Sequence, residues 1–395
     1  MRLLIFVLAT SLFASCGENE TPLTEQEKFT RIYDNTKFNI AFQPIDVRQT
    51  PDGGYLILAS RTLTESNFSG IYLMKVDAFG SFVSELEVDP TFVNPIGPLM
   101  EQNGTYFFFC MTAIGLQAQL MPVTPAGTLE TPIAVNGVAY PAAAAADGNG
   151  FILLSYDNVN KESVVSVLNA GGSVTRSQGF SIGAGDAVEE PIINHFLRTG
   201  RIFPFQVGRI PGGSYYFNGF YNYTFSLVFT NLSGPDPQGV LQGQQDDGGI
   251  NSITLLTGNR FALSRFNFGA NFFLPGQNIA TSGIASSSDL GGYPLPELVA
   301  QAPVKILRTF SGTTERVIYG SHTRSRQILL YSYDPAGAAF LRSKYLGFAN
   351  PFEFANLTET REGGLAVVGT TYVAGRFPRI CLFKIPSGEF TELIR

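Results

Sequence analysis

The 395-residue chain has no tryptophan, two histidines and three cysteines, and charged residues make up only 15% of it. Two histidines exclude a three-histidine metal site. Scarce charge removes the side chains that usually cover helix surfaces, and 42 Gly with 23 Pro would interrupt long helices, so the composition argues against a helical protein. A net charge of −6 leaves no electrostatic case for a nucleic-acid partner. What is present is apolar. A hydrophobic fraction of 44%, with 34 Phe and 16 Tyr, supplies surface to bury and argues against disorder. The expectation is an all-β globular protein with a large core.

The first residues carry an address. Arg2 gives a positive start, Leu3 to Phe13 form an apolar run too short to span a bilayer, and Ala14-Ser15-Cys16 closes it with small residues. That is a secretory signal, and Leu12-Phe13-Ala14-Ser15-Cys16 resembles the lipobox of bacterial lipoproteins. The resemblance implies a signal peptide over 1–15, a diacylglycerol on the Cys16 thiol and an acylated new amino terminus, palmitate among the chains. Several acyl chains on one residue would anchor the protein stably where one would not. An ordinary signal peptide with an incidental Cys16 is the alternative. Gly17 in place of the Asp that marks inner-membrane retention in some bacteria favours the outer membrane, facing either periplasm or cell surface. Residues 16–28 are polar, rich in Glu and free of apolar runs, which reads as a tether before a domain over 29–395. The remaining cysteines, Cys110 and Cys381, sit inside YFFFCM and RICLFK. Buried free thiols are favoured over a disulfide there.

Self-similarity organises the rest. Residues 49–88 hold a turn (Pro51-Asp52-Gly53-Gly54), an apolar strand, a polar loop, a second strand, a tight turn (Asp77-Ala78-Phe79-Gly80) and a third strand. Asp opening a turn bonds its own backbone and Gly closing it supplies a left-handed residue, so both marks have a mechanism. First turns recur at Gly54, Gly104, Gly150, Gly213, Gly258, Glu315 by alignment, and Gly364. Second turns recur at Gly80, Gly127, Gly172, Gly234, Gly291, Gly337 and Gly388, with the fifth pair stretched. The parallel between residues 29–59 and 341–369 adds a strand before each first turn. Each unit thus holds four strands, a to d from an axis outward, at a period near fifty.

That pattern matches one blade of a β-propeller. GGYLILAS…GIYLMKVDAFG resembles the DGGY…IYLIKTDxxG repeats of bacterial secreted propeller proteins, which implies a β-propeller and no fixed activity, and the seven paired turns favour seven four-stranded blades over six or eight. Residues 29–34 and Glu389 to Ile394 both have d-strand character, and the first is expected to join the last blade and close the ring, the share of the two tails in that position being left open by the sequence. Quinone-dependent dehydrogenase propellers carry recurrent Trp docking motifs, and sugar platforms commonly rely on Trp stacking; a chain without Trp fits neither readily.

In such a blade the a–b and c–d turns leave on one face, and the b–c and d–a connections on the other. The longer connections, Arg61 to Gly70, Ser181 to Phe203, Ser264 to Ser282 and Tyr293 to Pro303, gather on the second face, where loops can recruit ligands. SIGAGDAVEEPIINHFLRTGR brings Asp186, Glu189, Glu190 and His195 together with Arg198 and Arg201. Carboxylates with a histidine could do acid/base work or hold a cation. The competing reading is a solvated insertion whose His bonds a backbone carbonyl. SRFNFGANFFLPGQN alternates Arg265, Asn267 and Asn271 with Phe266, Phe268, Phe272 and Phe273, a mixture suited to a sugar, peptide or protein surface. Its competing reading is an elongated hairpin burying Phe on the blade. Glu189, Glu190, His195, Arg265, Phe266, Phe268 and Phe272 are therefore the candidate binding residues.

The chain has no G-x-S-x-G elbow, H-E-x-x-H, phosphate loop or C-x-x-C pair. The expectation is a membrane-anchored, non-enzymatic binding or protein-interaction module, with no cofactor, whose partner is a protein or an extracellular polymer. The alternative is a lyase or hydrolase acting on polysaccharide or peptide through carboxylates on the loop face.

Overall fold

The computed structural model describes residues 28–34, 39–245, 247–373 and 377–395. The signal, Cys16 and nearly all of the tether lie outside these residues. The strands form seven antiparallel four-stranded blades in sequence order, with blades 1 and 2 joined into one sheet where Gly70 pairs with Val93. Blade 1 contains Phe42–Gln49, Tyr55–Thr62, Ser69–Val76 and Phe82–Glu87; blade 2, Phe92–Gln102, Thr105–Thr112, Gln117–Val123 and Ile133–Ala139. Blade 3 contains Pro141–Asp147, Gly150–Asp157, Glu162–Leu168 and Val174–Ser181; blade 4, Gln206–Ile210, Ser214–Tyr221, Thr224–Thr230 and Gly239–Gln242. Blade 5 contains Gly248–Leu255, Phe261–Asn267, Ala270–Gln277 and Tyr293–Pro294; blade 6, Lys305–Ser311, Thr314–His322, Ile328–Asp334 and Ala339–Leu346. Blade 7 contains Phe352–Glu359, Leu365–Thr371 and Arg379–Ile385, and its outer strand is Phe29–Tyr33 from the start of the domain. This is a seven-bladed β-propeller closed by its first strand, as the sequence pattern implies.

The strands read as continuous apolar runs because each blade is buried on both faces. Among the described residues there are eight clusters of buried apolar side chains, and seven of them are the seven contacts between neighbouring blades. Cys110 and Cys381 lie in two of these, both buried and unpaired. Around the axis, backbone bulges in the innermost strands turn polar side chains sideways into the next blade. At the bulge of blade 1, Asp46 accepts from Leu99 N of blade 2 (2.7 Å) and from Asn356 Nδ2 of blade 7 (2.7 Å). At the bulge of blade 5, Asn251 Nδ2 donates to Ala302 O before blade 6 (2.8 Å).

The doubled glycine of the first turn has a physical cause. Gly53 is left-handed (φ +80), and a Cβ on Gly54 would lie 2.3 Å from Val76 O and 2.5 Å from Lys75 Nζ. The Lys75 amine runs under the turn and donates to Thr50 Oγ1 (2.7 Å) and Asp52 Oδ1 (2.9 Å). Blade 7 repeats the device. Lys384 donates to Thr360 Oγ1 (2.8 Å) and pairs with Glu362, beneath Gly363 and Gly364. The Lys of the …IYLMKVD… repeat is therefore a buried pin that ties strand c to the turn between a and b.

Three expectations are corrected. Glu389 to Ile394 is not a d strand, and Gly388 is not a second turn. Both fall in or beside helix Ser387–Leu393, whose Phe390 and Leu393, with Ile394, pack on the contact between blades 6 and 7, because Phe29–Tyr33 already fills the outer position. Ser264 to Ser282 is not one long loop, since Phe261–Asn267 and Ala270–Gln277 meet through a tight turn. The stretch in the fifth pair of turns lies instead beyond strand c, where Gly283–Ser286 crosses to blade 4 and adds a fifth strand parallel to Gly239–Gln242.

The two pins differ in burial, which yields a test. The Glu362 side chain is 4% exposed and that of Asp52 is 62% exposed. Lys384→Met strands a buried carboxylate and is expected to lower unfolding stability in urea by about 3–5 kcal/mol. Lys75→Met is expected to cost less than half of that. Burial raises the Glu362 pKa, but hydrogen bonds from Lys384 and Gln49 outweigh it and hold the carboxyl below 4.5. Its contribution is thus present above pH 4.5 and lost as pH falls through the folded value. Lys384→Met is expected to remove that part of the acid sensitivity.

Candidate functional site

The eighth apolar cluster lies on the face of the b–c and d–a connections and is built by the insertion between blades 3 and 4. The sequence reading took this stretch as a loop; it contains helix α1, Asp186–Leu197. Asp186 and Glu189 occupy its first turn, where acidic groups favour the helix dipole, and Glu189 Oε1 accepts from Gly185 N (3.3 Å). Val188, Ile192, His195 and Phe196 form the buried face. They lie among Phe203, Phe220, Phe225 and Phe266, contributed by the cap and by blades 4 and 5.

The insertion is fastened on several sides. Glu189 pairs with Lys161 of blade 3 (2.6 Å). Phe196 O accepts from Asn94 Nδ2 of blade 2 (2.7 Å), and Asn94 Oδ1 accepts from Ser69 N (2.9 Å) and Ser69 Oγ (3.1 Å) of blade 1. The Arg201 guanidinium lies over the Phe266 ring of blade 5, 4.3 Å from its centre. Blades 2 and 5 stand on opposite sides of a seven-blade ring, so the insertion reaches across the loop face between them.

The sequence-derived residues separate. His195 is buried, its Nδ1 accepts from Phe203 N (3.0 Å), and Phe196 and Phe205 meet its ring edge-on. Burial, helped by the Arg198 charge, lowers its pKa well below 6.5, so it is a neutral acceptor inside the cap. Glu189 serves Lys161 and the helix start, and Glu190 is exposed on the outer side of α1. The structure does not bring Glu190 and His195 together. In the blade 5 hairpin, Arg265 is buried, donates to Gly291 O (2.7 Å) and lies 3.9 Å from the Phe272 ring centre. Phe266 is buried beneath the cap, while Phe268 is 72% exposed at the left-handed turn. These four do not share one surface. Among the described residues, no group of three His, Cys, Asp or Glu side chains is placed to hold a metal ion.

What the face does carry is a cleft of about 280 Å³ between the segment leaving α1 and the b–c connection of blade 1. Arg198, Gly200 and Ile202 form one wall; Arg61, Asn67 and Phe68 belong to the other, with Gln43 of the innermost strand beside them. Sequence reading placed Arg198 and the Arg61–Gly70 connection on this face but did not join them, and it missed Asn94 altogether.

No protein-family model matches the chain, and no curated protein matches it. Solved structures do resemble it. The chain is similar to the S. cerevisiae core factor (8% identity, TM-score 0.49), matching over 91% of this chain and 61% of that one, so it spans about three fifths of that length. It is similar to an oligogalacturonate lyase in complex with manganese (10% identity, TM-score 0.47, 92% and 98% covered). It is also similar to the β-propeller domain of the Trilobed protease from Pyrococcus furiosus (7% identity, TM-score 0.46, 90% and 98% covered). Likeness at this level concerns the fold alone.

Asn94 makes a direct test of the cap. Asn94→Ala removes three hydrogen bonds and leaves buried backbone groups unpaired, at an expected cost of about 1–3 kcal/mol. Amide exchange measured by mass spectrometry is expected to quicken in α1 and residues 198–203 while the blade strands stay protected.

Proposed function

We propose that this chain is a bacterial envelope lipoprotein, held in the outer membrane through lipids on Cys16, whose propeller is a binding or protein-interaction module. The observation that carries the binding part is the fastened insertion across the loop face. It reaches across the loop face and leaves beside it a cleft lined by the Arg198 guanidinium, which has no hydrogen-bond or ion-pair partner among the described residues. A rigid scaffold presenting a shaped cleft is what a recognition surface requires. The anchoring part rests on the LFASC motif and the polar residues that follow it.

In-cell cross-linking of the full chain with metabolic palmitate labelling, using Cys16→Ser as control, tests both parts. Expected are label on the native chain, none on Cys16→Ser, and a stoichiometric partner cross-linked through the cap or the blade 1 connection. Absence of label would end the lipoprotein reading. Cross-links confined to the opposite face would end the assignment of the loop face, and substrate turnover by the purified protein would end the non-enzymatic one.

A further inference from the structure

We infer that the cleft between Arg198–Ile202 and the blade 1 connection binds the carboxylate of an acidic saccharide, with Arg198 and Arg61 as its receptors. This rests on the reading of the loop face as a binding surface and names its ligand class. The first argument is charge. The chain as a whole is acidic, at −6, yet among the described residues no Asp or Glu lines the cleft and two arginines do. Arg61 is ion-paired at the cleft's edge with Glu87 (Nη2–Oε2 3.6 Å), so the uncompensated positive charge in the cleft is that of Arg198.

The second argument is unfinished hydrogen bonding. Arg61 Nε is buried and has no partner, although a buried guanidinium donor normally finds one. Its stem runs across Gly70, where a Cβ would come 3.1 Å from Arg61 Cγ and 2.8 Å from Leu63 Cδ2, so the glycine gives the arginine its path. Arg198 has an exposed side chain that makes no hydrogen bond or ion pair among the described residues. It is nevertheless fixed at its base. It ends α1 in the left-handed region (φ 56), a conformation unusual for a residue with a side chain, with its N–H on the last helical carbonyls. Its guanidinium is cationic at neutral pH.

The remaining walls select the kind of acid. Gln43, Ser60, Ser66 and Asn67 offer hydroxyl and amide groups, and Leu63 and Phe68 offer an apolar patch. Hydroxyls, amides, a ring face and a carboxylate-matching fork together complement a sugar acid. The volume lies at the lower end of ligand pockets and accommodates a chain end or a short stretch.

The test is calorimetric titration of the full-length lipidated protein in detergent. Short oligomers of glucuronate, galacturonate and mannuronate are compared with their neutral parent sugars, with a glutamate-rich peptide alongside. Expected is binding of at least one uronate, weakened by salt, with the neutral counterpart at least about tenfold weaker. Arg198→Ala is expected to lose about tenfold or more, and Arg198→Lys, which keeps charge without the fork, to fall between. Arg61→Gln is expected to lose a comparable amount, with circular dichroism confirming its fold. No uronate binding at millimolar concentration, equal binding by Arg198→Ala, or preference for the peptide would each overturn the inference. A cross-linked partner on the loop face without uronate binding would defeat this ligand class alone. Uronate binding with no lipid on Cys16 would defeat the anchoring alone.

Discussion

The structure depends on one pairing, between the first strand of the domain and the third strand of the last blade. Phe29 lies opposite Lys384 and Tyr33 opposite Ile380, so five residues from one end of the chain complete a sheet made at the other. Closure removes the free edge that an open ring of blades would expose. It also joins two devices, because Lys384, paired across the strand to Phe29, is the pin held by Thr360 and Glu362. Tyr33 carries the join into blade 1 by donating to Gly80 O (2.9 Å). Blades 7, 1 and 2 are then tied at the axis through Asn356, Asp46 and Leu99 N.

A ring closed in this way can hold a shaped surface. The insertion after blade 3 has little regular support of its own: a glycine-rich start, a proline inside the helix and an aromatic face too large to leave in water. It acquires a fixed position because blades 2, 3, 4 and 5 all offer it contacts. The same fixing brings Arg198 opposite Arg61. The cleft is a consequence of ring geometry and cap geometry together, and neither half would make it alone.

This division explains what was legible in the sequence. The turns were readable because D-x-x-G and the doubled glycine are local chemistry, enforced by Asp77 bonding its own turn and by Lys75 passing where a Cβ would sit. The strands were readable because burial on both faces makes their apolar runs continuous. Helix α1 was hidden by Gly183, Gly185 and Pro191, although Val188, Ile192 and Phe196 recur at helical spacing. The C-terminal helix was misread because a seventh blade needs an outer strand and the nearest apolar segment was taken for it. Arg265 and Phe266 looked like a loop surface, since alternation alone cannot say that a cap will cover one side. Asn94 and the approach of Arg61 to Arg198 are products of long-range packing and leave no local signal.

Amide exchange of two truncated chains tests the account of closure most directly. A chain starting at residue 29 is expected to keep one cooperative unfolding transition and slow exchange throughout Arg379–Ile385. A chain starting at residue 35 is expected to unfold at lower temperature, with fast exchange at those amides of Arg379–Ile385 that face the missing strand. Equal protection of that strand in both chains would contradict ring closure by Phe29–Tyr33, and with it the fixed frame on which the cap and the cleft depend.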